Sequence, residues 1–212
     1  GYPGALKAVV RYEWTEDCEL RLTLTAESDA PTVINLTNHA YFNLNGEGNG
    51  NILGHTLKLN ASEYLPTDAT QIPLGESAPV AGTPMDFVNA KPIGQDINAD
   101  FEPLKIGKGY DHCWVIDGTE PGQLQLCGEL YAPESGRLLT IYTTQPGVQV
   151  YTGNWLTGCP AGKNGHVYND YDGIAIECQN YPDAPNKADY PSCVLRPGEV
   201  YEQAIIFVFG TR

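Results

Sequence analysis

Basic residues are scarce in this sequence. The 212 residues include 12 Lys and Arg against 26 Asp and Glu, for a formal net charge of −14. Phosphate binding needs clustered cations, so this balance argues against nucleic acid and anionic membrane as partners. No apolar run approaches the roughly 20 residues needed to cross a bilayer. The six cysteines, Cys18, Cys113, Cys127, Cys159, Cys178 and Cys193, contain no CxxC pair and no zinc-like spacing, which argues against a structural metal. There is no G-x-S-x-G, no cysteine with an obvious activating partner, no phosphate loop and no dinucleotide fingerprint. These absences remove the hydrolases built on such motifs, the kinases and the Rossmann enzymes. Helical periodicity sustained over a dozen or so residues is missing as well.

Period-two alternation is what the chain does have. "ELRLTLTAES", "HTLKLNA", "QLQLCGELYA", "RLLTIYTTQ", "GVQVYTG" and "YEQAIIFVFG" all read as strands. Between them stand turn clusters such as "NGEGNGN", "GTEPGQ", "APESGR" and "GCPAGKNG", rich in the 23 Gly and 16 Pro. An all-β fold of antiparallel sheets, packed face to face or closed as a barrel, follows from this pattern. With no linker, charge block or internal repeat, residues 1–212 read as a single domain. Two connections exceed hairpin length: 62–106, which should wrap over a sheet edge, and 156–172. Long loops beside a rigid sheet tend to carry binding residues.

Compartment is open on these residues. An even cysteine count suits disulfides, whereas Cys113 and Cys178 lie in apolar strands, where a free thiol is an ordinary core residue. The sequons Asn35-Leu36-Thr37 and Asn60-Ala61-Ser62, with low Lys, lean towards an extracellular location, and the cytoplasm is the alternative.

One carboxylate interrupts an otherwise apolar strand. In "YDGIAIECQNYPDAPN" the alternation places Ile174, Ile176 and Cys178 on one face and Ala175, Glu177 and Gln179 on the other. Glu177 either faces solvent from a one-sided sheet or forms the floor of a cleft. His39, in "NLTNHAYFNLNG", reads on its own as a core histidine satisfied by a backbone carbonyl. Asp111, in "GKGYDHCWV", could cap a turn, and Gln149 sits in a strand among Val148, Val150 and Tyr151. Taken together they suit a sugar, whose hydroxyls need donors and acceptors and whose ring face suits aromatics. A carboxylate and an imidazole also make a general base and a general acid near neutral pH.

The segments "PTVINLTNHAYFNLNG", "GYDHCWV", "YTTQPGVQVYTGNWL", "GIAIECQNYPDAPN" and "VLRPGEVYEQAIIFVF", in this order and spacing, resemble the aldose 1-epimerases, or galactose mutarotases, over nearly the whole chain. The resemblance implies an antiparallel β-sandwich of the mutarotase type that interconverts the α and β anomers of free hexoses such as galactose and glucose. It makes Glu177 the general base and His39 the general acid, with Asp111 and Gln149 hydrogen-bonding sugar hydroxyls. It implies no metal or organic cofactor. A hexose monosaccharide is the implied partner, and a non-catalytic, lectin-like sugar-binding module is the alternative. The chain starts at "GYPG", which similar proteins carry well inside their sequences, so the resemblance leads to a sandwich incomplete at its amino-terminal side. The segment that would complete it, with an arginine and a second histidine for the sugar, is then either a partner present as a separate chain after cleavage, a part of the protein outside this sequence, or absent from a short family member. His55, His112 and His166 do not stand in that histidine's motif.

Overall fold

The alternation of Glu19–Ser28 becomes a strand with Leu22, Leu24 and Ala26 buried and Arg21 and Glu27 turned to solvent. The computed structural model describes residues 1–212 and arranges such strands in two main antiparallel sheets. The first has seven strands in the order Leu6–Trp14, Glu19–Ser28, Tyr201–Thr211, Arg137–Thr143, Gln125–Ala132, Thr56–Leu59 and Lys91–Pro92. The second has six: Tyr41–Phe42, Ile174–Gln179, Gly147–Tyr151, Asp111–Val115, Glu63–Tyr64 and Ala78–Pro79. A two-stranded ribbon pairs Val194–Leu195 with Thr32–Val33.

The sheets share one core of 29 buried residues. Leu22, Leu24, Leu139, Ile141, Ile205 and Phe207 enter it from the first sheet, and Trp114, Val148, Val150, Ile174 and Ile176 from the second. Each such side chain contributes about 1.5–3 kcal/mol when fully buried, so the inner faces fix which residues of each strand point outward. All six cysteines are free; Cys113, Cys127, Cys178 and Cys193 are buried.

Three features depart from the sequence reading. Strand Leu6–Trp14 was not foreseen, because all nine of its residues stay exposed and no buried face imposes alternation on it. It lies at the edge of the first sheet with Val9, Val10, Tyr12 and Trp14 exposed. A six-residue helix, Glu102–Gly107, closes the long connection, with Pro103 in its first turn and Lys108 ending it in the left-handed conformation. The connection itself does more than wrap an edge. It lays Ala78–Pro79 and Lys91–Pro92 along one edge of each sheet and sends Met85 and Phe87 into the core, where the Met85 carbonyl accepts from Trp114 Nε1 at 3.0 Å. No helix is long and apolar enough to cross a membrane.

Candidate active site

Because Ile174 and Ile176 are held in the core, Ala175 and Glu177 must stand on the outer face of the six-stranded sheet. Antiparallel register then aligns neighbours from the adjoining strands. Gln149 lies opposite Glu177, Tyr151 opposite Ala175 on one side and Asp111 on the other, and Tyr41 opposite Ala175 from the edge strand. Gln149 Nε2 donates to Asp111 Oδ1 at 2.7 Å. The strand carrying Asp111 is set by the turn before it. Gly109 has φ 139° and lies so close to Asn154 that a Cβ would meet its amide oxygen at 2.5 Å. Asn154 in turn donates to the carbonyls of Gly107 and Tyr110.

His39 reaches this face on an irregular segment clamped by side chains. Asn35 Nδ2 donates to the Asn180 carbonyl while Asn35 Oδ1 accepts from the Asn180 N–H, both at 2.9 Å. Thr37 Oγ1 donates to the Cys178 carbonyl at 2.8 Å. These bonds replace ladder pairing along the end of strand Ile174–Gln179 and carry His39 to its partner: His39 Nε2 is 3.5 Å from Glu177 Oε1. The imidazole is 48% exposed, which overturns the reading of a core histidine held by a backbone carbonyl. Its ring packs on Tyr41 at 5.0 Å and Tyr151 at 6.2 Å between centroids. Asn35 of the first sequon is committed to this internal pair.

Burial holds the Glu177 carboxyl above its ordinary range. The charge of His39 opposes that rise and Asp111 reinforces it. Glu177 is therefore partly desolvated, as a base in a cleft should be, and its facing protein group is His39 rather than a set of hydrogen-bond donors. Asp111 is also raised by burial, against the hydrogen bond from Gln149, the charge of His39 and, last, the side chain of Gln71. Two carboxyls raised by burial in one patch, each opposed by the charge of His39, form the kind of environment in which proton-transfer groups are found.

The other histidines are elsewhere. His55 is buried with Nε2 accepting from the Leu44 N–H at 3.0 Å, and burial lowers its pKa to about 4. His112, on the inner face, accepts the Asp111 N–H on Nδ1 at 3.1 Å and is lowered to about 4 by the same cause. His166 packs on Tyr168 in the 156–172 loop. No group of three His, Cys, Asp or Glu side chains is placed to hold a metal ion.

Sequence reasoning did not single out Tyr41, Tyr151, Trp155 or Gln71. Tyr41 and Tyr151 were visible as outward positions of their strands, in register with Ala175. Trp155 stands exposed at the rim, its backbone N–H donating to the Tyr151 hydroxyl at 3.1 Å and its ring under Lys108 Nζ at 4.7 Å. Gln71 carried no local signal, because it arrives from a loop.

The sequence model of the aldose 1-epimerases matches residues 1–208. Galactose mutarotase of Homo sapiens is 43% identical over 210 residues, covering 99% of this chain and 59% of that protein. Aldose 1-epimerase of Escherichia coli (strain K12) is 38% identical over 211 residues, covering 99% and 60%. Among solved structures, an aldose epimerase homologue from C. elegans superposes with a TM-score of 0.88 at 32% identity, over all of this chain and 62% of that one. Galactose 1-epimerase from Lactobacillus acidophilus gives 0.84 at 31%, over 99% and 58%. The chain thus spans about three fifths of the length of the curated relatives it matches.

Proposed function

The chain belongs to the aldose 1-epimerase family, and from that membership and the geometry above we propose that it interconverts the α and β anomers of free hexoses such as galactose and glucose. The observation that carries this reading is the approach of His39 Nε2 to Glu177 Oε1, 3.5 Å, on the outer face of a sheet that also presents Asp111 and Gln149. A base and an acid are what the reaction requires, and simple sugar binding requires neither.

In this reading the Glu177 carboxylate takes the proton of the C1 hydroxyl as the electron pair of that O–H becomes the aldehyde C=O. The C1 to ring-oxygen bond breaks, and the ring oxygen takes a proton from the His39 imidazolium, leaving the open-chain aldehyde. Rotation about C1–C2 exposes the other face of the carbonyl. Reclosure reverses both transfers: neutral His39 removes the proton from the attacking hydroxyl, and protonated Glu177 returns one to the new C1 oxygen. Each proton-transfer group supplies about 10²–10⁴ in rate, which suits a reaction that already proceeds in water. The Asp111 carboxylate, held by Gln149, accepts from a sugar hydroxyl, and Tyr41 and Tyr151 offer faces for the apolar side of the ring.

Residues 1–212 are proposed as one domain, which the core of 29 residues drawn from both sheets supports. A segment corresponding to the part of the relatives that this chain does not span, present as a separate chain, is proposed as a partner for strand Leu6–Trp14. The unpaired edge and exposed apolar residues of that strand support this. The activity is tested by magnetisation exchange between the α and β anomeric protons of galactose at equilibrium. The reading predicts exchange cross-peaks that grow with protein concentration, and exchange at the buffer rate contradicts it.

A further inference from the structure

Asp111 has a second amide neighbour that comes from outside the sheet. Strand Asp111–Val115 is flanked by Gly147–Tyr151 on one side and Glu63–Tyr64 on the other. Gln149 approaches Asp111 from the first side, and Gln71 from the loop that follows the second. That loop is tightly closed. The Asp68 N–H donates to the Ile72 carbonyl at 2.9 Å, the Gln71 N–H donates to the Asp68 carbonyl at 3.0 Å, and Thr67 bridges Pro73. Asp68 Oδ1 accepts from the N–H and hydroxyl of Thr70, both at 2.7 Å, and from the Ile72 N–H at 3.1 Å. Within this frame Gln71 takes φ 64°, a left-handed conformation that costs a residue other than Gly about 1–2 kcal/mol.

The turn brings the carboxamide to the neighbourhood of Asp111. Gln71 Nε2 lies 3.6 Å from the point where a Cβ on Gly107 would stand, and Asp111 Cβ lies 3.9 Å from the same point. Gly107, having no side chain, leaves the space beside both residues open. The Gln71 side chain is also the last of the influences that draw the Asp111 carboxyl down against its burial. An ionised carboxylate only accepts, and one oxygen of Asp111 is already engaged by Gln149, whereas a carboxamide offers both donors and an acceptor, so the pair presents both polarities to neighbouring hydroxyls.

We propose that Gln71 is a specificity-determining residue of the hexose cleft, recognising the ring hydroxyl next to the one that Asp111 accepts from. This rests on the sugar-site reading above. A polar partner aimed at one hydroxyl discriminates against sugars that lack it, because its own hydrogen bond is then left unmade.

The test is hexose binding followed by ligand-observed NMR titration, with galactose and its 2-, 3-, 4- and 6-deoxy analogues, for the native protein and a Gln71→Leu variant, alongside mutarotation rates. The inference predicts that Gln71→Leu weakens galactose binding about tenfold, with the loss appearing in KM rather than kcat. One deoxy analogue, already weak for the native protein, should be indifferent to the substitution. An equal loss for every analogue assigns Gln71 to scaffolding alone and overturns the inference, as does no loss at all. Native protein that turns over galactose while Gln71→Leu affects all analogues equally refutes this inference and leaves the epimerase reading standing. A hydroxyl-specific effect on binding without turnover does the reverse. Native protein that binds no hexose contradicts both.

Discussion

His39 Nε2 stands 3.5 Å from Glu177 Oε1, although the two residues are far apart in sequence and only one of them lies in a strand. The pair is coupled electrostatically: an imidazolium at that distance favours the carboxylate, while burial and Asp111 favour the neutral acid. Burial prevails, so the carboxyl of Glu177 titrates above the ordinary glutamate value of 4.5. Since the base must be ionised to act, kcat/KM should fall on the acid side through an apparent pKa above 4.5. A pH profile of mutarotation checks this, and an acid limb at or below 4.5 contradicts the assigned base.

The same shift has a consequence for stability. A carboxyl whose pKa is raised on folding contributes stability that is full below its unfolded value and is lost as pH rises through the folded one. Ionised Glu177 therefore costs stability at neutral pH, and Glu177→Gln should raise Tm at pH 7, with the gain shrinking as pH falls towards 4.5. Thermal melts at several pH values check it. A variant less stable than the native protein at pH 7 would show that the carboxylate supports the fold.

The strand bearing Glu177 was legible because its apolar partners alternate without interruption, so Ile174 and Ile176 had to go inward and the acid outward. Asp111, Gln149 and the aromatics of the face follow from the same period-two logic once the register is known. His39 was misread from its own residues, since apolar neighbours such as Leu36 and Ala40 suggest a core while its position is set by the hydrogen bonds of Asn35 and Thr37. Resemblance, rather than spacing, brought it to Glu177. Strand Leu6–Trp14 escaped because an edge strand exposed on both faces has no buried side to impose a pattern. Gln71 escaped because its placement depends on a left-handed turn and on the absence of a side chain at Gly107, and neither is written near Asp111 in the sequence.

Thr37 is predicted to matter through His39. Thr37→Val removes the hydroxyl that donates to the Cys178 carbonyl at 2.8 Å, at a cost of about 1 kcal/mol in stability. The larger effect should be on turnover, since a displaced acid loses its approach to the ring oxygen, and kcat should fall by about one to two orders of magnitude. Steady-state kinetics beside a thermal melt separate the two effects. Unchanged kcat would mean that His39 is held by other contacts.

Acid should destabilise the fold through two other histidines. His55 and His112 are both lowered by burial from 6.5 to about 4, so their contribution is intact above pH 6.5 and is lost as pH falls towards 4. Each accounts for about 3 kcal/mol over that window, and the pair together takes up about two protons on unfolding. Urea midpoints at pH 7 and pH 5 should drop accordingly. His55→Gln, which retains an acceptor for the Leu44 N–H, should show a shallower fall. Equal midpoints would contradict the burial of charge-free imidazoles.

The central claim is that Glu177 is the base of an anomerisation reaction, and polarimetry of freshly dissolved α-D-galactose tests it most directly. The native protein and Glu177→Gln should be compared at matched sugar occupancy, established by titration. The account predicts that the native protein speeds the approach to anomeric equilibrium, while the variant binds galactose and leaves the rotation changing at the buffer rate. A Glu177→Gln variant that anomerises galactose as fast as the native protein would contradict it.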